Sequence, residues 1–251
     1  MDIHVLTLFP EMVQGASGFG VIGRALEGGL ADVRVSNPRA YTTDVHQTVD
    51  DRPYGGGPGM VLKYEPMAAA IDAARETLPA GSPVVFLSPQ GRVFDQQQAC
   101  RFAGFPGMLL VAGRYEGFDE RLLEACADEE VSLGDYVISG GEMAALVVMD
   151  AVMRLLPGVL GDETSAQQDS FVDGLLDFPH YTRPDSVAGM QVPEVLQSGN
   201  HAAIRRWRLQ QALGRTWLRR PDLLQGKQLN AEEQQLLDEF IAARRKADGQ
   251  G

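Results

Sequence analysis

The feature that most constrains the fold is a regular alternation of strand-like and helix-like segments over the first 160 residues. The strand-like runs are apolar or β-branched and are bounded by Gly, Pro or Asn: IHVLTLF, ADVRVSN, PVVFLS, GMLLVAG and the weaker EEVSLGDYVIS. Helical spacing of apolar residues appears between or after them in YEPMAAAIDAARETL, DQQQACRFAGF, DERLLEACAD and GEMAALVVMDAVMRLL. This alternation predicts an α/β domain whose parallel sheet is covered by helices.

The character of the sequence changes after residue 160. Residues 161–180 are polar, contain two Gly and one Pro and show no sustained period, which predicts a linker or a long functional loop. Residues 181–251 read as helical, with Asn200 and Asn230 as predicted N-caps of two long helices. We therefore expect an α/β domain over 1–160, a linker over 161–180 and a small helical domain over 181–251.

The composition is that of a cytoplasmic protein with a sizeable core. The chain has 251 residues and 44% hydrophobic content, which is enough for one large and one small domain. The first residues lack the basic leader of a secretory signal, and the longest apolar run is broken by Asp150, Arg154 and Pro157, so we expect no membrane span. Cys100 and Cys126 lack the paired spacing of a zinc site and are expected to be reduced thiols.

The charge is unevenly distributed. The net charge is −12, yet residues 1–161 contribute −10 of it and residues 162–251 only −2. The later part contains IRRWRLQQALGRTWLRR, whose six arginines are interleaved with Trp207 and Trp217. Because salt screens charges beyond about 10 Å, such a patch can bind nucleic-acid phosphates on an acidic protein. The alternative is a solvated helix face on which arginine stems cover the tryptophans.

The stretch GFGVIGRA matches the glycine pattern of a dinucleotide-binding turn, with Asp44 lying 21 residues beyond Gly23. That turn must directly join the first strand to its helix. Here the strand-like run ends at Phe9, Gly18 comes eight residues after Pro10, and too few residues follow Gly23 for a crossover helix. The stretch is therefore expected to be a flexible loop, and an NAD-dependent oxidoreductase is the competing enzyme hypothesis.

Three later glycine-containing stretches are better placed to form a ligand site. SPQGRVFDQ and AGRYEGFDER each follow a predicted parallel strand, where open α/β sheets bind their ligands, and EEVSLGDYVISGGEMAAL contains three further glycines. Exposed backbone groups in such loops suit an adenine edge and ribose hydroxyls, and the chain has no Walker-type lysine. The alternative is that each glycine merely permits a tight turn.

These stretches, together with RPYGGGPGM and the linker DSF, make the chain resemble the bacterial tRNA (guanine-N1)-methyltransferase (TrmD) family over essentially its whole length. The resemblance implies an S-adenosyl-L-methionine-dependent enzyme of the SPOUT superfamily. Its substrate would be the guanosine immediately 3′ of the anticodon, position 37 of tRNA. It also implies a parallel sheet with a deep C-terminal trefoil knot, a homodimer with composite active sites, and a dependence on Mg²⁺, although no carboxylate cluster marks a metal site.

The resemblance also implies roles for individual residues. Asp169 would be the general base that removes the N1 proton, and Arg154 would stabilise charge on O6. Glu116 would pair with Arg154, orient the base or approach the methionine ammonium. Without the resemblance, Asp169 could be a solvated acid or a cap, and Arg154 an ion-pair partner of Glu142 or Asp150. The residues expected to enclose the cofactor are Pro89, Gly113, Tyr115, Gly117, Ser132, Leu133, Gly134, Asp135, Tyr136, Val137, Ile138, Gly140 and Gly141.

The resemblance assigns tRNA binding to the C-terminal helices, and we expect Arg205, Arg206 and Arg208 to contact the RNA. RPYGGGPGM would be a mobile loop beside the pocket. One departure from the family pattern is the pair of glutamines at 167–168, where a more acidic approach to Asp169 is expected. A non-catalytic RNA-binding protein with the same fold is the remaining alternative.

Overall fold

The structure is a computed structural model that describes residues 1–161, 169–247 and 249. It divides the chain into two compact units, residues 1–163 and 164–251. Each unit has its own hydrophobic core. Residues 162–168, which belong to the predicted linker, lie outside the described residues.

A five-stranded parallel sheet forms the centre of the first unit, in the order β2-β1-β6-β5-β7. The strands of the unit are β1 (Asp2–Leu6), β2 (Asp32–Ser36), β3 (Asp50–Asp51), β4 (Val61–Leu62), β5 (Val84–Val93), β6 (Gly107–Ala112) and β7 (Glu129–Ser132). β3 and β4 form a separate antiparallel ribbon. The predicted α/β class with a parallel central sheet is confirmed.

Helices cover both faces of this sheet. They are α1 (Pro10–Ser17), α2 (Gly20–Glu27), α3 (Tyr64–Glu76), α4 (Gln96–Ala103), α5 (Glu120–Cys126) and α6 (Glu142–Met153), with a 3-10 turn at Pro38–Tyr41. Side chains alternate along β6: Met108 and Leu110 face the core that contains α1, α2, α4 and α6. Leu109 and Val111 face the core that contains α3 and α5. This burial on both faces explains why the strand is apolar at every position.

The expected flexible loop around GFGVIGRA is wrong, because α1 and α2 occupy this region. Pro10 stands at the start of α1, where its missing N–H costs no hydrogen bond. Gly23 lies inside α2, and a Cβ on it would lie 2.7 Å from the carbonyl oxygen of Gly18. Gly23 therefore allows α2 to lie close to the end of α1, and the stretch does not form a strand-to-helix turn.

Three element boundaries also differ from the predictions. β5 continues through the presumed loop to Val93, with a shift of register against β7 between Leu87 and Arg92. β7 ends at Ser132, so the following DYVIS does not extend the strand. α6 ends at Met153, and Arg154 is its C-cap, so this arginine ends the apolar helix and does not interrupt it.

The second unit is built mainly from helices. Its elements are β8 (Ser186–Val187), β9 (Met190–Gln191), α7 (Glu194–Gln197), α8 (His201–Arg219), α9 (Asp222–Gln225) and α10 (Ala231–Ala247). The predicted N-caps are confirmed: the Asn200 side chain accepts hydrogen bonds from the amides of Ala202 and Ala203. Asn230 and Glu233 cap α10 reciprocally. The small β8–β9 hairpin was not predicted.

Candidate active site

A cleft of about 340 Å³ lies where three strands of the first unit end or become irregular. It is lined by residues 87–90 of the irregular part of β5, by residues 113–118 after β6, and by residues of the 130–141 segment at β7. These are carboxyl ends of parallel strands, the edge at which open α/β sheets bind ligands. Its volume falls in the range of small-molecule sites, roughly 300–1,000 Å³.

Twelve of the thirteen residues predicted to enclose a cofactor line this cleft. Glu116 lines it as well, and Asp135 is the exception. The twelve are Pro89, Gly113, Tyr115, Gly117, Ser132, Leu133, Gly134, Tyr136, Val137, Ile138, Gly140 and Gly141. The structure therefore brings residues that are up to 52 positions apart into one concave surface.

Close backbone approach explains the glycine at position 141. The Gly141 amide donates to the Gly113 carbonyl at 2.8 Å, which joins the loop after β6 to the start of α6. A Cβ on Gly141 would lie 2.7 Å from the Cα of Ala112, closer than any tolerated contact. Gly134 has φ +140°, a value that other residues rarely adopt. These two glycines are therefore required by the shape of the cleft wall.

A buried polar cluster that the sequence reasoning missed lies against the cleft. The Glu142 side chain is fully buried and pairs with Arg114, whose Nε and one terminal nitrogen both lie 2.9 Å from its Oε2. Thr7 donates to the other carboxylate oxygen at 2.5 Å. Arg114 also donates to the Ser139 carbonyl and stacks over the Phe9 ring. A glutamate at the start of an apolar helix was the available signal, but its partner is 28 residues away.

The glycine-rich RPYGGGPGM segment contacts the cleft through Glu116. The Glu116 amide donates to the Met60 carbonyl at 2.9 Å, and the Leu62 amide donates to the Gly117 carbonyl at the same distance. Gly59 has φ +82°, and a Cβ on it would lie 2.2 Å from a Glu116 carboxylate oxygen. Glu116 therefore packs against the backbone of this segment. The predicted mobility of the segment stays a prediction.

The charged residues that line the cleft give it a net negative character. They are Arg114, Glu116, Glu120 and Glu130. Arg114 is paired with the buried Glu142, so its positive charge is compensated locally. Such a lining favours a ligand that carries positive charge.

An Asp119–Arg121 pair fixes the end of the loop that contains Glu116. The Asp119 side chain accepts from the Arg121 amide at the start of α5 and forms an ion pair with its guanidinium at 2.6 Å. This hydrogen-bonded guanidinium lowers the pKa of Asp119 below its usual value and raises that of Arg121. The carboxylate therefore stays charged and anchors the loop to the helix.

A second pocket of about 230 Å³ lies within the second unit and contains Asp169. It is lined by Asp169, Asp173, Leu175, Leu176, Asp177, Phe178, Arg205, Arg208, Leu209 and Ala212. Arg208 stacks over the Phe178 ring at 4.6 Å. Its Nε is buried and makes no hydrogen bond within the part of the chain that the structure describes. Asp169 thus shares a pocket with two of the three predicted RNA-binding arginines.

The remaining predicted residues are placed elsewhere. Arg206 pairs with Glu232 at 3.4 Å and with Glu239 at 3.1 Å, both on α10, so its guanidinium braces two helices. Arg154 lies half-buried at the C-terminus of α6, where a cation complements the helix dipole. Neither Arg154 nor Asp169 is among the residues that line the cleft of the first unit.

Within residues 1–161, 169–247 and 249, no three His, Cys, Asp or Glu side chains are grouped so that they could hold a metal ion. Cys100 is exposed, Cys126 is buried, and both are free thiols. No helix in the described ranges has the length and apolar character needed to cross a membrane.

Comparison with known proteins places the chain in a family. A model of the family described as tRNA (Guanine-1)-methyltransferase TrmD matches residues 1–226. The tRNA (guanine-N(1)-)-methyltransferase of Methylococcus capsulatus is 63% identical over 240 residues, which are 96% of this chain and 96% of the relative. The proteins of that name from Chromohalobacter salexigens and Yersinia enterocolitica are 58% and 57% identical; 96% of this chain aligns with each, covering 93% and 98% of the relatives. The chain belongs to the tRNA (guanine-1)-methyltransferase TrmD family.

Proposed function

We propose that the chain transfers a methyl group from S-adenosyl-L-methionine to N1 of the guanosine immediately 3′ of the anticodon, position 37, in tRNA. The reaction class is that of the family and of the curated relatives. The observation that carries the proposal is the glycine-rich cleft of the first unit, whose wall contains twelve of the thirteen residues expected for the methyl donor.

The chemistry of the cleft suits this donor. Main-chain groups of the Gly113, Gly134 and Gly141 loops would hold the adenosine part. The carboxylates of Glu116, Glu120 and Glu130 would favour its sulfonium and ammonium charges. When bound, S-adenosylmethionine supplies an electrophilic methyl group on a sulfonium ion. The protein contributes by orienting that methyl group towards N1, since proximity lowers the barrier strongly.

Guanine N1 carries a proton and is a poor nucleophile until that proton leaves. We assign its removal to the Asp169 carboxylate, which lies in a pocket with Arg205, Arg208 and Phe178. A carboxylate accepts the N1 proton as the new N–CH₃ bond forms, and a general base of this kind contributes typically 10²–10⁴-fold to the rate. The two arginines beside it would engage RNA phosphate and so bring the target base to Asp169.

Negative charge collects on O6 when N1 loses its proton. We assign its stabilisation to the Arg154 guanidinium, a cation that presents several N–H donors. Glu116 would act inside the donor cleft, either on the methionine ammonium or by orienting the base. Presentation of the guanosine out of its stack is required, because N1 lies on the pairing edge of the base.

The assembly and setting of the enzyme are part of the same proposal. Met143 and Val147 leave apolar surface exposed on α6, and Phe19 is exposed on the same unit. Such surface suits a homodimer contact, with active sites that combine residues of both copies. The deep trefoil knot, cytoplasmic location and Mg²⁺ dependence stay predictions. The magnesium prediction is tested by methyl transfer with and without EDTA.

The test uses methyl-labelled S-adenosylmethionine and unmodified tRNA that carries guanosines at positions 36 and 37. We expect N1-methylguanosine from the wild type, identified by mass, and a rate lower by about 10²–10⁴-fold in Asp169→Ala and Asp169→Asn. Asp173→Asn is the matched control, because Asp173 lines the same pocket. Equal loss in Asp169→Asn and Asp173→Asn would refute Asp169 as the base. Absence of transfer by the wild type with tRNA bound would favour a non-catalytic RNA-binding protein.

A further inference from the structure

The Glu142–Arg114 pair joins three segments that the chain brings together from far apart. Glu142 begins α6, Arg114 follows β6 and Thr7 follows β1. One carboxylate oxygen of Glu142 accepts from Thr7, and the other accepts twice from Arg114. Arg114 then reaches the Ser139 carbonyl at 3.2 Å. The arginine therefore links the 113–117 loop to the 139–141 loop, which belong to two of the three segments that line the cleft.

The neighbouring glycine is adapted to the arginine. A Cβ on Gly140 would lie 2.2 Å from the Nε of Arg114, so a side chain at position 140 would push the guanidinium away. The backbones of Arg114 and Gly140 form a β-bridge. The position of the Arg114 side chain thus depends on two residues: Glu142 binds its guanidinium, and Gly140 leaves the space that the guanidinium occupies.

Stability alone does not account for a fully buried carboxylate paired with an arginine. Replacing such a pair by apolar side chains of similar volume is often neutral or stabilising, because two charges no longer have to be desolvated. A charged pair at this place therefore indicates a requirement of the cleft. Among the cleft-lining residues that the structure describes, Arg114 is the only positively charged one, and its side chain is 20% exposed.

We propose that Glu142 is a positioning residue: it holds Arg114 between the two loops and cancels the charge of Arg114 beside a cationic methyl donor. This inference rests on the proposed function, since it takes S-adenosylmethionine as the ligand of the cleft. The donor carries a sulfonium charge, whereas the product S-adenosylhomocysteine is a neutral thioether at the same atom. An uncompensated Arg114 would repel the first more strongly than the second.

The proposal separates two effects that two variants test. Glu142→Gln keeps the shape; its amide oxygen can still accept from Arg114 and its amide nitrogen can donate to the Thr7 hydroxyl, but the charge of Arg114 is left uncompensated. We expect S-adenosylmethionine to lose ~5-fold more affinity than S-adenosylhomocysteine, the order that one nearby charge produces. Arg114→Met/Glu142→Met removes both charges. If the two loops then keep their arrangement only about a tenth of the time, both ligands bind ~10-fold more weakly and to the same extent.

Titration calorimetry with each ligand measures both constants, and thermal unfolding without ligand measures stability. Glu124→Gln is the control, because Glu124 is exposed on α5 and does not line the cleft; both affinities should stay at wild-type values. Equal changes for the two ligands in Glu142→Gln would overturn the charge role. Wild-type affinities in a folded double variant would overturn the positioning role. A wild type that binds neither ligand is recognised before any variant is compared, and it refutes the proposed donor.

Discussion

The pockets of the two units are lined by different kinds of residue. The cleft of the first unit is lined by glycine-containing loops, and its glycines at 134 and 141 allow conformations or contacts that other residues rarely reach. The pocket of the second unit contains three aspartates and two arginines around Phe178. A cleft shaped by close backbone contacts suits a small ligand, whereas arginines on a helix suit the phosphates of a polyanion, whose contacts are numerous.

The difference predicts how each unit fails when it is changed. In the first unit, a methyl group added at Gly141 in the cleft wall must displace backbone atoms, so we expect a large effect on ligand binding. In the second unit, a truncated arginine removes one contact among several and leaves the helices in place. Both tryptophans, Trp207 and Trp217, lie in α8, so tryptophan fluorescence reports on the second unit.

The largest effect is expected from Gly141→Ala. Its Cβ would lie 2.7 Å from the Cα of Ala112 and 2.8 Å from the Gly113 nitrogen, so the cleft wall has to move. We expect kcat/KM for methyl transfer to fall by at least ~10²-fold, since a shift of about 1 Å in a positioned ligand has this effect. Tryptophan fluorescence should not change.

Gly15→Ala is the control for that substitution. Gly15 lies in α1 with nothing within 4 Å of an added Cβ, so kcat/KM should stay at the wild-type value. Stability should rise by up to ~1 kcal/mol, because alanine is the better helix former. Normal transfer by Gly141→Ala would mean that the cleft wall is deformable. Close backbone contacts would then not determine ligand binding in the first unit.

A smaller effect is expected from Arg208→Ala in the second unit. Arg208 lies in the pocket with Asp169, whereas Arg206 is held by Glu232 and Glu239. We expect Arg208→Ala to weaken tRNA binding about 10-fold and to reduce the salt slope of log Kd by about 1. Arg206→Ala should change the affinity less than ~2-fold, as measured by filter binding at several salt concentrations. The reverse order would assign the RNA contact to Arg206.

The sequence predicted what local patterns encode. Strands such as β6 are apolar at every position, and the N-caps Asn200 and Asn230 each stand immediately before a helix. Local pattern failed around Pro10–Glu27, where glycines at 15, 18 and 20 hid the apolar spacing of Val13, Ile22 and Ala25. Gly18, Gly20 and Gly23 follow the dinucleotide pattern, yet the requirement at Gly23 is helix packing.

Long-range ion pairs could not be predicted from the sequence. Arg114 meets Glu142 across 28 positions, and Arg206 meets Glu239 across 33. No periodicity relates such residues, because the pairing follows from the order of strands in the sheet and from the packing of α8 on α10. The sequence prediction therefore gave Arg206 and Arg208 the same role in RNA binding. The fold distinguishes them, because Arg206 pairs with acids of α10 and Arg208 lies in a pocket.

Gly214→Ala tests whether glycine has a steric role in the second unit as well. Gly214 lies in the middle of α8, and a Cβ on it would lie 2.4 Å from ring atoms of Phe240 on α10. Overpacking of this kind lowers the free energy of unfolding by about 1–3 kcal/mol. Urea unfolding followed by tryptophan fluorescence should show it, with donor affinity unchanged. Unchanged stability would mean that the Phe240 ring moves aside without cost.

The smallest effect is expected from pH, and it belongs to the first unit. Burial, together with the charge of Arg34, lowers the pKa of His4 below its usual value; His4 lies in β1 between Ser36 and Thr77. Below about pH 6.5 the unfolded chain binds a proton that the folded chain excludes, so stability is present above that pH and is lost as the pH falls towards the folded pKa.

His4→Gln removes this titration. Between pH 7 and 5.5, the wild type should lose up to about 1 kcal/mol of unfolding free energy per pH unit more than the variant, as followed by circular dichroism. Because His4 is in the sheet and both tryptophans are in α8, fluorescence-detected unfolding should show a smaller difference between the two proteins. An equal difference with both probes would mean that the two units unfold together. The two units would then differ in their ligand sites but not in their stability.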